Sequence, residues 1–216
     1  MKRIIVMIIL LVQIVVVGTA LAVPVNLDFT SVPGIDVTTS TTFTLNGVTI
    51  SYDDGGSGTD FAHVGPSQFT GNSGPELAGI IGDTGGKLIF DFTTSATALN
   101  IGFTLLEAVS TTPQVSDALI VLYFYDNGNL LGITTTPADF FASDPTADPT
   151  LGLASGILAY SGTAFDHAEL FFSTEAASIF AIENMSYEPV PEPGTIVLLA
   201  AGLIGLGVLR FKRQRC

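Results

Sequence analysis

Between Leu88 and Leu105 the chain twice places a large apolar residue at every second position. Leu88, Phe90 and Phe92 alternate with Ile89 and Asp91, and Leu99, Ile101, Phe103 and Leu105 alternate with Asn100, Gly102 and Thr104. A period of two sends successive side chains to opposite faces of an extended strand, so each segment buries one face and shows the other to water. A helix would need its apolar residues three and four apart. These segments therefore commit the middle of the chain to a half-buried sheet.

Turn chemistry extends the same reading. Phe43-Thr44-Leu45 and Val48-Thr49-Ile50 flank Asn46-Gly47, a pair suited to the positive φ angles of a two-residue type I′ hairpin turn. Leu119 to Tyr125 and Leu130 to Thr135 flank Asp126-Asn127-Gly128-Asn129, which predicts a longer turn of the same kind. The run Ile120 to Tyr125 is apolar at both parities and predicts a central strand covered on both sides. Further strands are expected at Gly156 to Tyr160, Ala168 to Ser173 and Ser178 to Tyr187, and one short helical turn near Pro75 to Gly79. Eight or nine short strands without a helix between them predict an all-β fold, an antiparallel β-sandwich.

Charge divides the chain into three. Of seven basic residues, Lys2, Arg3, Arg210, Lys212, Arg213 and Arg215 lie at the ends, while residues 23 to 189 hold 19 acids and a single lysine, Lys87. So acidic a domain excludes nucleic acid as a partner, because phosphate binding is built on many basic contacts. With 47% hydrophobic and 12% charged residues, disorder is excluded too.

The N-terminal end combines Lys2-Arg3, an apolar run from Ile4 to Val17 broken only by Gln13, and the small residues Ala20 and Ala22. That is the layout of a secretory signal peptide spanning 1–22, cut by signal peptidase after Ala22; an uncleaved anchor is the alternative. The C-terminal end, 189–216, has a motif at 190–194, Val190-Pro191-Glu192-Pro193-Gly194. An apolar stretch, 195–211, and a basic tail, 210–216, follow it, the tail holding Arg210, Lys212, Arg213 and Arg215. As a helix the apolar stretch reaches roughly 24 Å, enough to cross a membrane if Arg210 snorkels to the interface. The prolines stop it extending backward, and the arginines set the tail on the cytoplasmic side.

Val190 to Arg215 resembles the PEP-CTERM sorting signal of Gram-negative bacteria. The resemblance implies an exported protein held first in the inner membrane with residues 23–188 in the periplasm. It implies recognition by an exosortase acting near Val190, Pro191, Glu192 and Pro193, then passage to the cell surface or the extracellular matrix, often with exopolysaccharide and biofilm. Tyr125 to Gly132, Phe140-Phe141 and Phe180 to Tyr187 are similar to strands of the jelly-roll, galactose-binding-like ectodomains that precede such tails. The expected whole is a β-sandwich flanked by an N-terminal signal helix and a C-terminal transmembrane helix.

Chemistry-bearing residues are sparse. Asp53, Asp54 and Asp60 surround a glycine loop and form a candidate Ca²⁺ site, set against a plain acidic surface loop. His63 and His167 are the only histidines, and Cys216 is the only cysteine, so zinc sites and nucleophile triads find no partners. No enzyme and no certain cofactor is expected. The reading is a structural or interaction protein, with a calcium-stabilised carbohydrate-binding module for exopolysaccharide as the alternative.

Overall fold

The computed structural model describes residues 22–56, 62–67, 77–109, 120–136, 139–141, 151–172 and 179–190. The chain divides into Pro24–Pro189 and a second unit of the two ends, Met1–Val23 with Val190–Cys216. The ends lie almost wholly outside the described residues, and with them the expected signal segment 1–22 and membrane helix 195–211. Among the described residues no helix is long and apolar enough to cross a membrane.

The strands are β1 (Val25–Leu27), β2 (Ile35–Val37), β3 (Phe43–Leu45), β4 (Val48–Asp53), β5 (Ala62–Ser67) and β6 (Leu77–Asp83). They continue with β7 (Lys87–Val109), β8 (Ile120–Asp126), β9 (Asn129–Thr136), β10 (Asp139–Phe141), β11 (Leu151–Phe171) and β12 (Ile179–Pro189). Every pairing is antiparallel.

Two long strands organise the rest. The first part of β7, Lys87–Phe92, lies between β4 and the end of β11, and β8 and β9 continue that sheet. The later part of β7 lies between β12 and the start of β11. There β6, β5 and β2 extend outward from β12, β1 pairs with its far end, and β10 pairs with β11. β7 and β11 thus run through both layers. Their register jumps where they pass from one layer to the other, from Asp91↔His167 to Ala96↔Phe165 to Ala98↔Ser161. Strands that bend or bulge in this way make the corners of a sandwich.

The alternation read from the sequence supplies the core. The first sheet turns Val48, Ile50, Tyr52, Leu88, Phe90, Phe92, Ile120, Leu122, Phe124, Ala168 and Leu170 inward. The second contributes Leu99, Ile101, Phe103, Leu105, Leu158, Phe180, Ile182, Met185 and Tyr187. The layers meet through Phe172 stacked on Phe180 at 4.1 Å, Phe92 edge-on to Tyr187 at 5.2 Å and Phe124 stacked on Tyr160 at 3.9 Å. Phe165, fully buried, fills the corner against Phe92, Phe124 and Tyr160. Burying each such ring contributes about 1.5–3 kcal/mol.

The expected β-sandwich is present, with four differences in detail. The two alternating segments around 88–92 and 99–105 are one strand, β7, and the two expected strands at 156–160 and 168–173 belong to β11. The β8–β9 turn is tighter than expected: Asn127 (φ 49°) and Gly128 (φ 77°) form a two-residue turn like Asn46 (φ 47°) and Gly47 (φ 81°). The predicted helical turn near 75–79 is a strand from Leu77 onward, because β6 pairs with both β5 and β12. Finally β8 is not a central strand covered on both sides; it lies second from the edge, and Val121, Tyr123 and Tyr125 are half-exposed on its outer face.

Candidate functional site

Two outer faces carry polar side chains in an ordered array. On the first sheet, Asp91 and His167 are register partners, as are Lys87 and Phe171, with Glu169 between them on β11. Period two puts Lys87, Asp91, His167, Glu169, Tyr123 and Tyr125 on one face. The Lys87 Nζ donates to Glu169 Oε1 at 2.6 Å and lies 3.7 Å from Asp53 Oδ2. The Tyr125 hydroxyl donates to Glu169 Oε2 at 3.1 Å, and His167 Nδ1 lies 2.6 Å from Asp91 Oδ1.

The electrostatics follow from these contacts. Burial works against the charge of Glu169, but the hydrogen bond and charge of Lys87, then the Tyr125 hydroxyl, outweigh it and hold the carboxyl below its ordinary range. Burial likewise opposes the Lys87 ammonium, and Glu169 with Asp53 outweighs it, so its pKa is raised. Burial, then the bond to Glu169, raises Tyr125. The lone cation of residues 23 to 189 is thus neutralised within its own sheet. The arrangement pairs Lys87 with Glu169 and His167 with Asp91 across neighbouring strands.

On the second sheet the outer face forms a shallow groove of about 270 Å³ across four strands. One row runs Asn26, Ser186, Asn100 and the next Asn184, Gly102, Ile157, from β1 and β12 through β7 to β11. A bulge between Ile182 and Asn184 creates this face. Phe180 and Ile182 point inward, so without the extra residue Asn184 and Ser186 would point inward too. With it they face solvent, and Met185 and Tyr187 enter the core instead.

The residues singled out in the sequence fall elsewhere. Asp53 Oδ1 accepts from the Gly55 backbone N–H at 3.1 Å and Asp54 Oδ1 from that of Gly56 at 2.8 Å, so both cap their own turn. Asp60 lies outside the described residues, among which no three His, Cys, Asp or Glu side chains are grouped as a metal site would need. His63 pairs with Asp36 on the second sheet, apart from His167. Ala22 and Val190 stand at the edges of the described residues; Ala20, Pro191, Glu192, Pro193, Arg210, Lys212, Arg213 and Arg215 lie outside them. Neither outer face was assigned from the sequence. Strand parity alone puts Lys87 with Asp91, and Asn100 with Gly102, on one side; the partners come from non-local pairing.

Residues 189–213 match the PEP-CTERM protein-sorting motif. The chain carries this sorting signal. It marks an exported precursor, anchored in the membrane and processed by an exosortase on its way to the cell surface. No curated protein matches the chain.

Among solved structures, the catalytic unit of a thermostable GH87 alpha-1,3-glucanase from Streptomyces thermodiastaticus aligns at 16% identity and a TM-score of 0.32, over 76% of this chain and 27% of that one. The chain therefore spans under a third of that enzyme's length. A GH31 CBM32-2 bound to GalNAc aligns at 12% identity and TM-score 0.29, over 61% of this chain and 77% of that one. A Streptococcus pneumoniae fucose binding module aligns at 9% and 0.28, over 76% and 96%. Likenesses of this size carry no argument about what the PEP-CTERM-tagged sandwich binds.

Proposed function

We propose that this chain is an exported surface or matrix protein whose sandwich acts, after sorting, as an interaction domain and not as a catalyst. The sorting motif at 189–213, placed directly behind the Pro24–Pro189 unit, carries the reading. The signal-peptide layout at 1–22 supports it from the other end, signal peptidase and exosortase acting in turn. Exopolysaccharide in the matrix is the partner such a domain meets first.

Cell fractionation followed by intact-mass measurement tests this. The expected product is extracellular or surface-bound, begins at Val23 and lacks the basic tail. Recovery from the cytosol with Arg210 to Cys216 intact overturns it, and glycan turnover by the purified protein overturns the non-catalytic part.

A further inference from the structure

We propose that the groove on the outer face of the second sheet is a binding site for a neutral polysaccharide, which deepens and rests on the reading of the sandwich as an exported interaction domain. Asparagine is depleted in strands because its short amide competes for backbone hydrogen bonds. Here Asn26, Asn100 and Asn184 nevertheless stand on one face of three neighbouring strands. Among the described residues no hydrogen bond engages the side-chain amides of Asn100 and Asn184, both of which are exposed. They offer donors and acceptors to solvent from a fixed frame, without charge.

The groove has the make-up of a small-ligand site: apolar surface with a few convergent polar groups. Ile157, 71% exposed, supplies an apolar wall for the C–H face of a sugar ring. Gly102 forms the floor between it and Asn184. This position does not need glycine for the fold. An added Cβ would meet Asn184 at 3.5 Å, ordinary contact, and the backbone there is not left-handed. What the glycine provides is an open floor. The Asn26 rim is pinned by Asn46, whose Nδ2 donates to the Asn26 carbonyl at 3.1 Å. Three strand spacings give the row a length of roughly 15 Å, long enough for several linked rings and too open for an enclosed monosaccharide.

Charge selects among polymers. A domain with 19 acids and one lysine repels uronate, sulfate and phosphate chains, and amide groups gain nothing from them. Neutral hydroxyl arrays, which both donate and accept, match asparagine amides.

The test is native affinity electrophoresis of the full-length chain in detergent, with a panel of neutral α- and β-linked glucans and mannans against alginate and polygalacturonate. At least one neutral polymer is expected to retard the protein, and neither anionic polymer should. Retardation should not change between about 0.05 and about 0.5 M salt, since no ion pair is involved. Asn184→Ala and Asn100→Ala should each weaken binding roughly three- to tenfold. Gly102→Val should abolish it while keeping or raising the thermal midpoint, because a β-branched residue suits a strand. Binding by Gly102→Val equal to the parent, retardation by alginate, or no retardation by any neutral polymer overturns the site. None of these outcomes depends on where the chain is sorted, so failure here leaves the export reading standing.

Discussion

The Lys87 ammonium donates to the Glu169 carboxylate at 2.6 Å, diagonally across the junction of the two longest strands. The pair gives stability a defined pH window. Glu169 has a lowered folded pKa, so its contribution is full above the ordinary glutamate value of about 4.3 and is lost as pH falls through the folded value. Lys87 has a raised one, so its contribution is full below about 10.4 and is lost as pH climbs through the folded value. Glu169→Gln should cost roughly 1–3 kcal/mol at pH 7, and the difference from the parent should shrink on acidification. Urea midpoints measured across pH check this; a pH-independent difference would show that packing, not charge, is lost.

Tyr187 adds a side-chain tie between the two layers beside the crossing of β7, whose Thr93 N–H also donates to the Gly47 carbonyl at 2.8 Å. Its ring lies in the core against Phe92, and its hydroxyl donates to the Asn46 carbonyl at 2.7 Å, in the turn between β3 and β4. Tyr187→Phe keeps the ring and loses that bond, an expected cost of about 0.5–1.5 kcal/mol. Hydrogen exchange should quicken first in the β3–β4 hairpin. Unchanged exchange there would mean the bond does not hold the turn.

The same turn restricts Gly47. It has φ 81°, and a Cβ would lie 3.2 Å from the Tyr187 hydroxyl. Gly47→Ala should therefore destabilise by roughly 1–2 kcal/mol from backbone conformation alone. In a Tyr187→Phe background the loss should be smaller, since the crowding oxygen is gone. Strict additivity of the two thermal shifts would refute the contact.

Gly82 is restricted by neighbours instead of by φ. A Cβ there would meet Ala62 Cβ and the Phe180 ring at 2.9 Å and Ala62 Cα at 3.0 Å. Backbone and a buried ring cannot both give way, so Gly82→Ala should cost about 1–3 kcal/mol through overpacking between β5, β6 and β12. Gly132→Ala, at an open site whose backbone is not left-handed, serves as the control for adding a Cβ without a clash. A thermal midpoint for Gly82→Ala at or above that of the parent would overturn the argument.

Much of the fold was legible in the chain. Leu88, Phe90 and Phe92 face the core, as do Leu99, Ile101, Phe103 and Leu105, because period two separates inside from outside with no knowledge of neighbours. Asn46-Gly47 announced its turn for the same local reason, the left-handed backbone it tolerates. The short apolar run of β8 misled, because Tyr123 and Tyr125 are amphipathic: their rings cover the sheet while Tyr125 reaches Glu169 with its hydroxyl. Residues 77–79 misled because pairing with Gly65 to Ser67 of β5 overrode a local helical leaning.

The sequence by itself determined the sorting address at 189–213, the strand character of the middle and which side of each strand is apolar, all properties of neighbours along the chain. Only the tertiary structure decided that β7 and β11 each serve two layers, that Lys87 meets Glu169 across β7 and β11, and that Asn26, Asn100 and Asn184 share one groove. Those relationships depend on register between strands as far apart as β1 and β12, and on a single bulge near Glu183 that reverses which residues of β12 face outward. Alternation tells a residue which face it occupies; only pairing tells it whom it faces there.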